Sequence, residues 1–140
     1  MAFAGGADRA FGLAVCDGSG TLTFRRPVAG FPFPRYSAAC PLWPLYEALR
    51  QPQVPVSRVV EMPGAPALRF ACDAIAELAW PDGYGGPGVI EAVMLIRPVD
   101  QRRGDARAVG ASCRICARPR CAARREPSIM ATAEVGARAF

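Results

Sequence analysis

The sequence predicts an α+β domain, with an antiparallel β-sheet, one main helix and a small cysteine-rich module near the C-terminal end. Three observations predict this fold class. Short runs of β-branched and apolar residues recur between turn signals, which is typical of strands. One segment has apolar residues at helical spacing. Three of the six cysteines fall within nine residues, at positions 113–121.

The chain is predicted to open with a β-hairpin. Residues 11–15 are apolar and predict a buried strand, and residues 17–20 (Asp-Gly-Ser-Gly) predict a tight turn. Residues 21–25 alternate between apolar and polar side chains, as a return strand does. Cys16, at the end of the first arm, is interpreted as a small buried hydrophobic residue rather than a reactive thiol.

A loop and the main helix are predicted to follow the hairpin. Residues 26–39 contain three prolines and one glycine that interrupt regular structure. The phenylalanines of this loop, Phe31 and Phe33, either pin it onto the core or line a ligand slot. The helix is expected to begin at Pro41, where a missing N–H is harmless, and to continue with apolar side chains to Leu49.

Three further strands are predicted at residues 54–62, 68–76 and 89–96. Side chains alternate between the two faces of a strand, and Cys72 falls on the apolar face of the strand at residues 68–76. It is therefore predicted to lie in the core and is discounted as a metal ligand. The Gly/Pro-rich residues 80–88 lack the features of a phosphate-binding loop or a dinucleotide fingerprint and are interpreted as a connector. A mixed α+β domain with an antiparallel sheet is of the kind that GAF and PAS sensors use, although a single helix is few for that fold.

The composition excludes several kinds of chemistry. All 17 basic residues are arginine, histidine is absent, and the formal net charge is +5. No Ser–His–Asp or Cys–His relay, lysine Schiff base or histidine metal ligand can therefore exist. No apolar run approaches the ~20 residues of a membrane span, and no secretory signal peptide is recognised. We therefore expect a cytoplasmic chain with reduced thiols, which favours a metal centre over a disulfide framework.

The cysteine-rich stretch itself indicates a metal or iron–sulfur site. Two residues separate Cys113 from Cys116, and four separate Cys116 from Cys121. Thiolates this close repel one another unless a cation holds them. Three ligands do not complete a tetrahedral sulfur site, so a fourth is expected from elsewhere in the chain. Unligated thiols and a redox pair formed by Cys113 and Cys116 are the alternatives.

The arginine-rich run over residues 97–125 has three interpretations. It could receive the phosphates of a nucleotide-like ligand through bidentate hydrogen bonds. It could contact DNA phosphates. It could also be a solvated basic face, since no aromatic interleaving or nucleic-acid motif accompanies it. The arginines near the cysteines would stabilise thiolates in an iron–sulfur cluster or in a zinc site alike.

The chain resembles a known family. Residues 110–129 (GASCRICARPRCAARREPSI) resemble the C-terminal signature of the short-chain fatty acyl transcriptional regulators, which are XRE-type bacterial repressors and activators. Residues 40–45 (Cys-Pro-Leu-Trp-Pro-Leu) resemble the second signature of the family, and the opening hairpin is also similar. The expected division of the chain is a GAF-like sensor domain over residues 1–109, a cysteine-rich metal or iron–sulfur module over 110–127 and a tail over 128–140.

The resemblance implies the cofactor and its ligands. Matched residue by residue, a [4Fe–4S] cluster would be held by Cys40, Cys113, Cys116 and Cys121. Cys40 lies at the predicted helix entry, where the helix dipole favours a thiolate. Because zinc also accepts four thiolates, the spacing of the cysteines leaves zinc as the alternative.

The resemblance also implies an effector, coenzyme A or a short-chain acyl-CoA. The residues expected to contact this effector are Arg35, Trp43, Tyr46 and Arg69. The DNA-binding helix-turn-helix of the family lies upstream and has no counterpart here, so the sequence is interpreted as a C-terminal fragment or a stand-alone sensor. DNA is expected as a partner only through that upstream part, no membrane partner is expected, and the chain could form a homo-oligomer.

The leading prediction is the effector-sensing C-terminal domain of a bacterial transcriptional regulator, and not an enzyme. A zinc-stapled structural or interaction domain without an effector is the alternative. A small redox enzyme that uses Cys113 and Cys116 is the third candidate.

Overall fold

The computed structural model describes residues 11–35, 38–100 and 104–130. The predictions about residues 1–10 and most of the tail lie outside the described residues. Within the described residues, the predicted α+β class is confirmed as a mixed six-stranded sheet with one helix. The closer likeness to GAF and PAS sensors stays a prediction. No helix in the described part of the chain is long and apolar enough to cross a membrane.

The strands form one continuous sheet in the order β2-β1-β5-β4-β3-β6. The first five strands pair antiparallel, as predicted, and β6 runs parallel to β3. The two-residue strand β6 was not predicted, because so short a segment carries no periodicity of its own. The elements are β1 (Gly12–Asp17), β2 (Leu22–Arg26), α1 (Pro44–Arg50), β3 (Val56–Met62), β4 (Leu68–Ala79), β5 (Val89–Val99) and β6 (Arg107–Ala108).

The core lies between α1 and one face of the sheet. Side chains alternate along β1, β4 and β5, and the inward-facing ones are buried. Cys16 and Cys72 are 0% and 1% exposed, so both are core residues, as predicted. Burial raises the pKa of Cys16 to about 11 and the pKa of Cys72 to about 12. Both thiols therefore stay protonated and unreactive at neutral pH.

The helix begins later than predicted. Pro41 was expected in its first turn, but α1 begins at Pro44, with Trp43 as its N-cap. The cause is the proline itself, because a residue before proline is driven into extended backbone. Trp43 accordingly has φ −62° and ψ 142°, and Pro44 takes the first helical position, where proline fits best.

The proline-rich loop is pinned to the core by aromatic rings. Phe31 is buried, and its ring centroid lies 5.1 Å from that of Trp43 and 5.2 Å from that of Phe70. Aromatic pairs at this spacing add stability beyond their buried area. Phe31 and Phe33 also line a shallow surface depression of about 510 Å³, so their alternative role in a ligand slot stays open.

Candidate metal centre and arginine cleft

The four cysteines predicted as ligands lie around one cavity. Cys40 lies three residues before Trp43, the N-cap of α1, and therefore not at the helix entry as predicted. Cys113 lies in a short 3₁₀ turn over Cys113–Ile115. Both line a small cavity of about 20 Å³, together with Cys116 and Cys121. The fold thus brings one cysteine from the first third of the chain to three cysteines near its C-terminal end. All six cysteines have free thiols.

The side chains around this cavity do not have the arrangement of a metal-binding site. In the ranges that the structure describes, no group of three or more cysteine, aspartate or glutamate side chains is arranged so that it could hold a metal ion. A volume of about 20 Å³ holds roughly one water-sized particle. This volume suits one ion better than a four-iron cluster. The ligand roles stay a prediction.

Hydrogen bonds fix Cys40 against the C-terminal cysteines. The Cys40 N–H donates to the Ala111 carbonyl at 2.8 Å, and the Trp43 indole Nε1 donates to the Gly110 carbonyl at 2.7 Å. Burial raises the pKa of the Cys40 thiol, and the nearby Cys113 and Cys116 thiols raise it further. A cation in the cavity would reverse this balance, because it favours the thiolate.

Arginine side chains hold the cysteine segment, residues 110–127, on the sheet domain. Arg118 donates from Nε to the Val109 carbonyl at 3.0 Å and from a terminal nitrogen to the Glu61 carbonyl at 2.8 Å. Arg124 donates to the Cys113 carbonyl at 3.4 Å and to the Arg118 carbonyl. Both arginines line the cysteine cavity. Their positive charges therefore lie where sulfur ligands would carry negative charge.

A buried hydroxyl without a partner also lines the cavity. Ser112 is 1% exposed, and its Oγ has no hydrogen-bond partner. Ser112 precedes the 3₁₀ turn, yet its side chain does not cap it. A buried unsatisfied hydroxyl costs about 1–3 kcal/mol, which a sulfur acceptor in the cavity would offset. The sequence prediction missed Ser112, and its position next to Cys113 was the only available signal.

A second, larger cleft of about 560 Å³ lies beside the hairpin turn. We call it the arginine cleft after Arg25, Arg35, Arg50 and Arg125, which line it. No acidic side chain is among the described residues that line the cleft. The sequence predicted Arg35 as an effector contact and placed Arg125 in an arginine-rich run that could receive phosphates. It did not indicate Arg25 or Arg50, which only the fold brings to the cleft.

The hairpin turn and the helix build the walls of the cleft. Asp17 Oδ1 accepts hydrogen bonds from the Ser19 N–H at 2.9 Å and the Thr21 N–H at 3.1 Å. The Tyr46 hydroxyl donates to the Gly20 carbonyl at 3.0 Å. Gly20 has φ +89°, a conformation that glycine adopts without strain. The rim is therefore fixed by the turn and tied to α1.

The four predicted effector contacts are not brought together. Arg35 and Tyr46 line the arginine cleft. Trp43 is 0% exposed and bonded to the cysteine segment, so it belongs to the core and not to an effector surface. Arg69 lies on β4, where it donates to Glu61 Oε1 at 3.1 Å, and it does not line the cleft. Helical spacing and residue type alone could not show which of the four residues would lie at the cleft, in the core or on β4.

Comparison with known proteins places the chain in a family. Residues 7–139 match the model of the family described as "Short-chain fatty acyl coenzyme A regulator, C-terminal". The propionyl-CoA carboxylase regulator of Cereibacter sphaeroides is 30% identical over 132 residues, which cover 81% of this chain and 26% of that protein. The HTH-type transcriptional regulator PrpR of Mycobacterium tuberculosis is 28% identical over 126 residues, which cover 79% of this chain and 25% of that protein.

A solved structure shares the fold. The structure of a Mycobacterium tuberculosis transcriptional regulator superposes with a TM-score of 0.72 at 29% identity, over 85% of this chain and 40% of that one. The chain spans about a quarter of the length of the curated relatives described above. The resemblance that the sequence indicated is confirmed, and the chain belongs to the short-chain fatty acyl coenzyme A regulators, whose C-terminal region it matches.

Proposed function

We propose that this domain is the effector-sensing C-terminal part of a transcriptional regulator and that Cys40, Cys113, Cys116 and Cys121 hold a metal centre. The observation that carries the proposal is the single cavity that these four cysteines line, although they come from distant parts of the chain. The unpaired Ser112 hydroxyl in the same cavity supports it, because a hydroxyl can donate to an anionic sulfur. We propose a [4Fe–4S] cluster as the occupant, on the resemblance to the family.

Each group at the cavity would have a distinct part. Cys40 would anchor the centre to the sheet domain, because its N–H is bonded to Ala111 and its neighbour Trp43 is buried in the core. Arg118 and Arg124 would balance the charge of four thiolates. A bound [4Fe–4S] cluster would supply a link between the cysteine segment and the sheet domain that responds to oxidation.

Zinc is the second candidate, and the size of the cavity favours it. A single ion suits a volume of about 20 Å³ better than a four-iron cluster does. The domain would then be a structural or interaction module without redox response. Both occupants need the same four thiolates, so only metal analysis separates them.

Coenzyme A or a short-chain acyl-CoA is the proposed effector. The family is that of the short-chain fatty acyl coenzyme A regulators, and one relative is named a propionyl-CoA carboxylase regulator. Signalling requires that the effector bind two states of the domain with different affinity. DNA binding would belong to another part of a full-length regulator, as the name of the HTH-type relative PrpR suggests.

Anaerobic purification followed by metal analysis and visible spectroscopy tests the proposal. We expect about four iron atoms and sulfide per chain with a brown absorbance, or one zinc without colour for the second candidate. Cys113→Ala should abolish metal binding. Cys16→Ala is the matched control, because Cys16 is also buried but does not line the cavity, and the metal content of this variant should be normal. Unchanged metal content in Cys113→Ala would refute the assignment.

A further inference from the structure

The sheet has a second face that no described element covers. Helix α1 packs on the face that carries Ala74, Ala76 and Met94, and all three side chains are buried. On the opposite face, Phe24 is 51% exposed and Ile75 is 40% exposed. An apolar surface that stays exposed on a folded domain marks a site of interaction when its side chains are contiguous.

The strand register makes the apolar side chains of this face contiguous, because it aligns them in two adjacent rows. One row crosses four strands and consists of Phe24, Val15, Val93 and Ile75. The next row consists of Leu13 and Leu95 on β1 and β5. Residues two apart on a strand share a face, and residues directly opposite on neighbouring strands interact. The two rows therefore form one apolar surface, which we call the outer patch.

Charges of opposite sign flank the outer patch at its two ends. At one end, Glu77 lies directly opposite Glu91, and neither carboxylate forms an ion pair within the described part of the chain. Like charges directly opposite each other destabilise a sheet unless a cation lies near them. At the other end lie Arg26 and Arg97. Arg97 pairs with Asp73 at 3.3 Å but stays 53% exposed, so its guanidinium is open to a further carboxylate.

A two-fold axis at the level of Met94 would bring the opposite charges together. Glu91 lies three residues before Met94 on β5, Arg97 lies three residues after it, and both face outward. An axis perpendicular to the strands, between two stacked sheets, reverses the strand direction of the second copy. Glu91 of each copy then faces Arg97 of the other, and Val93 faces Leu95. The contact occurs twice, as in every isologous interface.

We propose that the outer patch binds a second copy of this chain, with the two sheets stacked and their strands antiparallel across a two-fold axis. Charge complementarity selects this occupant and this axis, because an axis along the strands would place Glu91 on Glu91. Each strand residue covers about 16 Å² of a sheet, so the five antiparallel strands offer on the order of 600 Å² per copy. This area lies at the lower end of the range for specific interfaces, so we expect a reversible dimer.

Sedimentation velocity over a concentration series tests the dimer. We expect wild type to change reversibly from monomer to dimer as its concentration rises. Glu91→Arg and Arg97→Glu should each raise the dissociation constant about a hundredfold, because the axis places each change in two like-charged contacts. Arg50→Glu is the matched control, because Arg50 lies at the end of α1, on the other side of the sheet. This variant should dimerise like wild type.

A mixture of the two charge-reversed variants tests the axis. In a heterodimer of Glu91→Arg with Arg97→Glu, both contacts join opposite charges again, so the mixture should dimerise nearly as well as wild type. This result would also show that both variants are folded. An unimpaired dimer in either single variant would overturn the antiparallel arrangement. A mixture that dimerises no better than the single variants would overturn it too.

Ile75→Lys tests the apolar part of the interface. A charge at this position would have to be buried in the dimer, so the dissociation constant should rise at least about tenfold. Ile129→Lys is the matched control, because Ile129 is 69% exposed and lies outside the sheet, and its dimer should be unchanged. Equal losses in the two variants would overturn the assignment of the interface to the outer patch. A wild type that stays monomeric at all concentrations would overturn the dimer and leave the patch to another partner.

Discussion

The sheet and the cysteine segment achieve order in different ways. Strand β4 pairs along most of its length with β3 on one side and β5 on the other. The cysteine segment contains one 3₁₀ turn of three residues and a few isolated turns. Its attachments to the sheet domain include hydrogen bonds from arginine side chains to carbonyl oxygens, as at Arg118 and Val109.

This contrast shows that different interactions stabilise the two regions. The sheet is stabilised by its backbone ladder and by apolar side chains packed against α1. The cysteine segment has few apolar residues to bury, and Ile115 in its centre is 47% exposed. Segments of this kind usually require a metal to stay folded. The cysteine segment should therefore be sensitive to metal, and the sheet should not.

Removal of metal should have the largest effect, and it should act on one region alone. After chelation, we expect trypsin to cleave rapidly after Arg114 and Arg120 in the cysteine segment. Cleavage after Arg69, within β4, should stay slow because the sheet remains folded. Mass spectrometry of the fragments over time identifies the sites. Equal protection of the cysteine segment with and without metal would contradict the contrast.

The contact between the two regions is tested by Trp43→Phe. The change removes the indole N–H and leaves the buried Gly110 carbonyl without its donor, which costs about 1–3 kcal/mol of unfolding free energy. We also expect weaker metal binding, because Cys40 is positioned by the same part of the chain. Urea denaturation and metal titration measure the two effects.

Trp80→Phe is the matched control for Trp43→Phe, because Trp80 is the other tryptophan of the chain and is 52% exposed. It should change neither the unfolding free energy nor metal affinity. Similar losses in the two variants would show that the indole of Trp43 does not join the regions.

A smaller effect is expected at the hairpin turn, which belongs to the sheet. The hydrogen bond from the Ser19 hydroxyl, with those from backbone N–H groups, lowers the pKa of Asp17. A lowered pKa in the folded state means that Asp17 stabilises the protein above its unfolded pKa, near 4, and that this contribution is lost as the pH falls through the folded value. Asp17→Asn should therefore be less stable than wild type at pH 7, with a difference that shrinks below about pH 4.

The pH dependence of urea denaturation for both proteins measures this contribution of Asp17. Metal affinity serves as the control, and we expect it to be unchanged in Asp17→Asn because the turn does not line the cysteine cavity. A stability difference independent of pH would contradict the assigned role.

Much of the fold could be predicted because strands, turns and burial depend on local patterns. The alternation along β4 placed Cys72 in the core correctly, since every second residue of a strand faces the same side. The start of α1 was missed because the restriction that Pro44 imposes on Trp43 outweighs the attraction of Pro41 as a first helical residue.

The site was predictable only in part, for a related reason. The spacing of Cys113, Cys116 and Cys121 is local and visible in the sequence, and the resemblance to the family supplied Cys40. The arginine cleft was visible only in part: Arg125 belongs to the arginine-rich run over residues 97–125, whereas Arg25 and Arg50 carry no shared pattern and meet it only through the fold. Solvent-facing arginines look alike in sequence, so their grouping requires coordinates.

The attachment of the chain to the outer edge of β3 has a consequence for self-association. The Glu61 carbonyl on that edge accepts hydrogen bonds from the Val109 N–H at 3.0 Å and from Arg118 at 2.8 Å, beside the short parallel strand β6. An edge strand with unpaired backbone groups is a template for another chain. Residues 107–118 thus act as a cover over this edge, and their release would expose it to pairing with another chain.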